Sequence, residues 1–432
     1  RPPTDPSATP VLPGAPVVGQ LAAFRQDAFG LLRRAAPLGD VVRFNLLHAP
    51  VYFVQDPDAL GPVFDTQDLW MRGEGLQPLL GRNVLTTNGD VWRRGRSLAQ
   101  PSFHPKQTDA AAADFGARAE LCVRGWEALA QGGALDLAGE AVRLFARAAS
   151  PAFGFAFTDD ELLRWPDALL RLQSWGFAAL AGGKPRSPQV RRDFALMDGL
   201  IERALSTPPP ADGPPSYLER LRQDHDVPRE QLMGHLRLPL VASTDNPPNT
   251  VAFALWALAA EPRWTAALQD ELRAVLGNEP PTVDDLERLP LLARVLDEVL
   301  RLWPSVYMLA RTAQEDTELA GHPVAAGSLA LVGTWFVHRH PAHWTDPERF
   351  DPDRFLPERS AGRHRLAYLP FGSGPRRCVG SRLALQQMQL ALALILQRFD
   401  VQRALEGPLP LRGLFALRSP VGVPCRLIPR GT

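Results

Sequence analysis

The stretch Phe371-Gly372-Ser373-Gly374-Pro375-Arg376-Arg377-Cys378-Val379-Gly380 constrains this chain more than any other. It sets one cysteine in a loop between a strand-like apolar run (Tyr368, Leu369) and an apolar helical run from Leu383 to Leu396. Its three glycines leave room for backbone to come close to something flat and bulky. Arg376 and Arg377 precede the cysteine, where they favour its thiolate form and can pair with carboxylates. A turn at the start of a helix adds the positive end of the helix dipole. This suits an anionic metal ligand, and thiolate is one of the axial ligands that haem iron accepts. Taken alone, a single cysteine in a turn would more often be a small core residue.

The chain has 432 residues and a formal net charge of +0, so no global attraction to nucleic acid is expected. Hydrophobic content of 45% and charged content of 22% are those of a soluble globular protein. Cys122, Cys378 and Cys425 are far apart and form no disulfide framework, which suits a reducing, cytoplasmic compartment. No apolar run reaches membrane-spanning length, so neither a membrane anchor nor a signal peptide is expected. Residues 1–16 read as a Pro-rich N-terminal arm.

Asp40 to Phe53 carries β-branched and aromatic residues and reads as a hairpin. Trp70 to Leu85 is Gly-rich and irregular, a plausible wall over a pocket. Trp92 and Arg96 stand at i and i+4 on one helix face, where indole N–H and guanidinium make a carboxylate clamp. Helices are expected over Asp109–Gln131, Glu140–Phe153, Asp159–Gly182 and Gln189–Ser206. The patch Trp175 to Leu180 could roof a cavity, although that spacing is more often plain core.

A long helix is expected from about Arg229 to Ala260, with Val241-Ala242-Ser243-Thr244-Asp245-Asn246-Pro247-Pro248-Asn249-Thr250 in its middle. Two prolines inside it should widen or kink it. Small and polar residues there suit a place where dioxygen and a proton relay need space. A second amphipathic helix over 283–302 carries Glu298 and Arg301 at i, i+3, a common surface-pair spacing. Beyond it, Tyr307, Met308 and Leu309 leave as an extended apolar run towards Arg311.

These motifs together resemble the cytochrome P-450 family, the haem-thiolate monooxygenases. Phe371-x-x-Gly374-x-Arg376-x-Cys378-x-Gly380 matches every specified position of its haem loop, and the other motifs follow in the family's order along nearly the whole chain. The resemblance is to the bacterial soluble type, with a carotenoid or fatty-acid hydroxylase branch as the narrower guess. It implies a mainly α fold with small β-sheets, a triangular helical domain enclosing haem, with residues 1–432 as a single domain.

The resemblance further implies haem b (iron protoporphyrin IX) with Cys378 as the metal ligand. Trp92, Arg96, Arg311 and Arg376 would meet the propionates, and Phe371 and Gly380 would flank the sulfur. Asp245 would be the catalytic acid. Asn246 stands where the family usually has a threonine, and an amide there can donate and accept hydrogen bonds around a water. Glu298, Arg301 and Arg354 would form a structural network behind the cysteine, with Arg349 as the alternative third member, and His338 would be structural rather than a metal ligand. Ala242, Tyr307, Met308, Leu309 and Phe415, with Leu414 and Ala416 as neighbours in a final hairpin from Leu414 to Ile428, are the substrate-pocket candidates.

The implied reaction is hydroxylation of a small apolar substrate (terpenoid, carotenoid, fatty acyl chain or aromatic polyketide) by O2. Two electrons would come from a separate ferredoxin or flavodoxin and its reductase, docking on a basic face around Arg93, Arg94, Arg376, Arg377 and Arg382. A monomer is expected. The departure at Asn246 leaves open a haem-thiolate peroxygenase or isomerase, and a non-catalytic haem sensor is the alternative from another class.

Overall fold

A computed structural model describes residues 9–180, 186–208, 216–224, 227–413 and 415–430. It is mainly helical with small sheets, in the architecture expected. Along the first third run α1 (Leu21–Ala35), β1 (Val41–Leu46), β2 (Ala49–Val54), α2 (Gly61–Asp65), β3 (Trp70–Met71), α3 (Gln77–Leu80), α4 (Gly89–Ala99) and α5 (Pro105–Ala130). The centre holds β4 (Leu135–Asp136), α6 (Leu137–Ala148), α7 (Asp159–Leu180), α8 (Pro188–Ser206), α9 (Tyr217–Gln223), α10 (Arg229–Leu258) and α11 (Pro262–Leu276). Then come α12 (Pro290–Leu302), β5 (Leu309–Ala313), β6 (Thr317–Leu319), β7 (His322–Val324), β8 (Leu329–Val332), α13 (Thr334–Val337) and α14 (Pro357–Ser360). Last are α15 (Ser381–Arg398), β9 (Phe399–Arg403), β10 (Arg412–Gly413), β11 (Leu417–Arg418) and β12 (Pro424–Pro429).

The largest sheet has the order β1-β2-β8-β5-β3. β1 and β2 form the expected hairpin, with Val41 opposite Val54, and β2 runs parallel to β8 with Val51 beside Leu329. β6 and β7 form a two-stranded sheet of their own. The main core lies among α5, α6, α10, α12 and α15, where Phe115, Phe145, Val251, Val295, Leu392 and Ile395 are fully enclosed. α10 packs against α6, α8, α12 and α15, so nearly every side of it meets another helix. That explains why it lacks the one-sided apolar stripe of a surface helix.

α10 runs as the one long helix expected, 30 residues through Pro239, Pro247 and Pro248. Packing on all sides holds a backbone that three prolines alone would disrupt. Several expectations are corrected. The helix over 283–302 starts only at Pro290, after a short 3-10 turn at Asp284–Arg288, because proline is accommodated best at a first helical turn. The final hairpin is divided: β10 pairs with β11, while β12 leaves to lie between β4 and β9. Part of the N-terminal arm is fastened to β1, since Leu12 donates its N–H to the Arg43 carbonyl at 2.8 Å. Trp175 and Phe177 are core, packed edge-on against Phe194 and stacked on Phe24.

Candidate functional site

The cysteine loop closes on itself. The Cys378 N–H donates to the Phe371 carbonyl at 3.0 Å, and the Arg377 N–H donates to Gly374 at 3.0 Å. Gly374 has φ +67°, and a Cβ there would stand 2.3 Å from the Phe64 carbonyl oxygen, so only glycine lets the loop lie on α2. The strand-like lead-in is held by His338, whose Nε2 accepts the Leu369 N–H at 2.7 Å while Nδ1 faces the Arg301 carbonyl at 3.3 Å. Burial, aided by Arg301 and Arg339, drives the His338 pKa down to about 3. Both ring nitrogens are engaged with backbone, so this side chain serves the architecture.

Cys378 is accessible, yet protein surrounds it closely enough that desolvation dominates its ionisation. Both hold for a thiol on the wall of an internal hollow. Burial pushes its pKa up, against the Gly380 amide, Arg96, Arg72 and Arg377. Arg377, with Arg96 and Arg72, acts in the direction expected and favours the thiolate, while burial opposes it.

Four guanidinium groups gather beside this hollow, on Arg72, Arg96, Arg311 and Arg376. Arg376 donates to Thr87 O at 2.8 Å and to Asn88 Oδ1 at 2.9 Å, and it stacks over the Trp92 ring at 4.1 Å. Trp92, expected to clamp a carboxylate beside Arg96, also offers its ring face to Arg376. Arg96 donates to the Arg377 carbonyl at 3.0 Å, and Arg311 to its neighbour Ala310 at 2.8 Å. Among the described residues, none of the four forms a salt bridge. Burial lowers their pKa values, with repulsion from neighbouring arginines adding to it at Arg72, Arg311 and Arg376, to about 10 for Arg72 and for Arg376. Crowded cations, buried at Arg311 and Arg376 and half-buried at Arg72 and Arg96, with no salt-bridge partner, make a receptor for an anionic group. One thiol beside that receptor is a donor set that fits a metal-bearing cofactor with carboxylate arms.

Along α10, Ala242, Ser243 and Asn246 are only partly buried, while Thr244, Asp245 and residues 247–258 are enclosed. These positions recur at helical spacing, so one face of α10 is left unpacked. Ser243 Oγ and Asn246 Oδ1 are buried there without a hydrogen-bond partner. Asp245 forms an ion pair with Arg418 of β11.

Behind the loop, Glu298 Oε2 accepts from Arg301 Nε at 2.6 Å and Oε1 accepts from Arg301 Nη2 at 2.8 Å, both residues being fully buried. Arg354 Nε stands 3.4 Å from Glu298 Oε1, and the Asp351 N–H donates to the same oxygen at 2.8 Å. Arg349 contributes its carbonyl to Arg301 at 3.2 Å.

The pocket candidates divide. Leu309 is part-buried beside the loop, since a Cβ on Gly372 would meet its Cδ1 at 3.8 Å. Met308 packs against the core around α1, and Phe415 packs part-buried on the main core. Tyr307 is corrected to a core residue, packed edge-on against Phe29 and against Gly413 in a space that would not admit a Cβ. Ala416 is buried, and Leu414 lies outside the described residues. Of the residues expected in a basic docking face, Arg93, Arg94, Arg377 and Arg382 are exposed, the first two and the last pairing with Asp90, Asp224 and Asp109, and Arg376 is buried. Arg72, Asn88 and Arg418 were not found from the sequence. An isolated arginine carries no spacing signal, and only the fold brings these to the hollow.

The family model described as cytochrome P-450 matches residues 196–421, just over half of the chain. The chain is 26% identical to "Protein LUTEIN DEFICIENT 5, chloroplastic" of Arabidopsis thaliana, over 90% of this chain and 72% of that protein. It is 28% identical to "Cyclooctat-9-en-7-ol 5-monooxygenase" of Streptomyces melanosporofaciens, over 93% of this chain and 91% of that protein. To cytochrome P-450 3A11 of Mus musculus it is 37% identical, over 44% of this chain and 38% of that protein.

Proposed function

This chain belongs to the cytochrome P-450 family and is an oxidoreductase of the monooxygenase type, and we propose that it hydroxylates a terpenoid-type apolar substrate using haem b bound through Cys378. The observation that carries the reading is the thiol of Cys378 beside four guanidiniums that lack carboxylate partners. When bound, the haem iron supplies the oxygen-activating chemistry. Arg72, Arg96, Arg311 and Arg376 would hold its two carboxylate arms. Leu309 and the unpacked face of α10 at Ala242 would present apolar surface to the substrate and exclude water. Asp245 and Asn246 would carry protons to the site, the amide Oδ1 of Asn246 holding a water there.

Members of the family draw on O2 and a redox partner. We assign electron supply to a separate ferredoxin or flavodoxin with its reductase, and place the protein in the cytoplasm as a monomer. Three free cysteines accord with a reducing compartment, and no helix among the described residues is long and apolar enough to cross a membrane. The terpenoid class rests on the similarity to a bacterial protein named for oxidising cyclooctat-9-en-7-ol.

The test is the reduced, carbon-monoxide-treated spectrum, which should show the band that gives the family its name and lose it in Cys378→Ser. Ligand titrations of the ferric protein against terpenoid, carotenoid, fatty-acid and aromatic polyketide probes then separate the substrate classes. Asn246, followed by Pro247 and Pro248, favours a second reading as a peroxygenase. Turnover with hydrogen peroxide, and none with ferredoxin, reductase and NAD(P)H, would select it.

A further inference from the structure

Outside the site around Cys378, two turns of the chain hold imidazoles against a pair of carboxylates. The turn 340–344 is closed by the His343 and Trp344 N–H groups, which both donate to the His340 carbonyl at 3.0 Å. Trp344 is buried, and its indole N–H donates to the Ala367 carbonyl at 3.2 Å. The Ala367 N–H donates in turn to the His364 carbonyl at 2.9 Å. This chain of bonds brings the His364 ring to 5.6 Å from the His343 ring. Both rings meet the stretch 56–58, just before α2. Among the described residues, Asp56, Asp58 and His343 each bring one ligand atom to within 4.8 Å of the other two. His364 Nε2 stands 3.6 Å from Asp58 Oδ1, while His340 is committed to Asp40 at 3.2 Å.

We propose that Asp56, Asp58 and His343 form a binding site for a divalent transition-metal ion, zinc in the first place. The missing counter-charge is the first reason. Asp65, Asp109 and Asp193 each hold an arginine, whereas among the described residues no arginine or lysine pairs with Asp56 or Asp58. Two carboxylates side by side then favour a cation from outside. The donor set is the second reason. Imidazole nitrogen and carboxylate oxygen bind Zn2+ at about 2.0–2.2 Å, and small side-chain rotations bring these three atoms to that reach. Ca2+ takes six to eight oxygen ligands, so a set of three that includes a nitrogen does not suit it. The Leu366 N–H donates to His364 Nδ1 at 3.3 Å, so the proton of the neutral ring sits on Nε2, towards Asp58. His364 thus steers the Asp58 carboxylate instead of ligating the ion. Clamping 56–58 to the turn 340–344 would brace α2, whose Phe64 carbonyl is the surface on which Gly374 rests. The ion has no part in oxygen chemistry, and this site stands apart from the haem reading.

The test uses the full chain with its haem, freed of any histidine tag and treated with chelator. Zn2+ alone is the probe. Titration calorimetry should show one ion bound per chain, and an excess of Ca2+ should not displace it. X-ray absorption at the zinc edge should show one imidazole among oxygen donors. Asp58→Asn and His343→Gln should each weaken binding about tenfold or more, and His364→Gln should weaken it less. His48→Gln, at an exposed histidine between β1 and β2, should leave it unchanged. Zn2+ should also raise the melting temperature of wild type and not that of His343→Gln. Asp58 is exposed and His343 half-buried, so these changes do not threaten folding. No binding by wild type, zinc bound without an imidazole, displacement by Ca2+, or equal affinity in wild type, Asp58→Asn and His343→Gln overturns the proposal.

Discussion

The guanidinium of Arg376 lies 4.1 Å from the centroid of the Trp92 ring, and Asn88 and Thr87 hold it there from the opposite side. The indole is therefore the floor on which one cation of the cluster rests. Trp92→Ala should remove about 3–5 kcal/mol of stability, typical of a buried tryptophan. Chemical unfolding measures that loss. Trp92→Phe, which keeps an aromatic face, should retain more haem per protein than Trp92→Ala.

The four arginines beside the cysteine repel one another, and a bound anionic cofactor relieves them. Arg72→Met should leave the haem-free protein as stable as wild type or more so, while speeding haem release. Stopped-flow transfer of haem to an acceptor protein measures the release, and calorimetry of the apoprotein measures the stability. Parallel losses in both would contradict the anion-receptor account.

Glu298 is surrounded by Arg301, Arg354 and the Asp351 amide with no route to water. Glu298→Gln leaves the buried Arg301 without its counter-charge and should cost about 3–5 kcal/mol. Denaturant titration checks this, and Arg354→Lys, at the longer contact of 3.4 Å, should cost less.

Gly374 needs both its positive φ and its lack of a side chain. Gly374→Ala should destabilise by about 1–3 kcal/mol from the backbone conformation, with the Phe64 clash in addition. Its haem content should fall more steeply than its helical circular dichroism.

How much was legible in advance follows from these cases. The cysteine loop, the Glu298–Arg301 spacing and the helix pattern were readable because local chemistry and periodicity dictate them. Trp92 was found, but its partner was not: a side chain at i+4 is a sequence signal, whereas Arg376 reaches Trp92 only through the fold. The long helix α10 was read at nearly its full length, and packing against four other helices supports it through its three prolines. Arg418 was invisible, since nothing near it in sequence marks its meeting with Asp245.

His235 is buried against Tyr217, whose hydroxyl lies 2.9 Å from Nδ1, and burial drives its pKa down to about 4. The folded protein then holds fewer protons than the unfolded chain below the ordinary histidine value of about 6.5. Its contribution is present above about pH 6.5 and is lost as pH falls towards 4, with a limiting slope of about 1.4 kcal/mol per pH unit. His235→Gln should shallow the acid limb of a stability–pH curve without abolishing it, because His338 contributes in the same direction.

The fastening of Leu417 to Asn249 joins positions 168 residues apart. On the ribosome, α10 is complete long before the strand that finishes its open side has been made. Until residues 412–429 emerge, the polar stretch around Asp245 has neither its arginine nor its ceiling. A nascent or nicked chain lacking that last segment would be helical and well packed, yet would present a gaping, hydrated cleft, and proteases and chaperones would meet it there first.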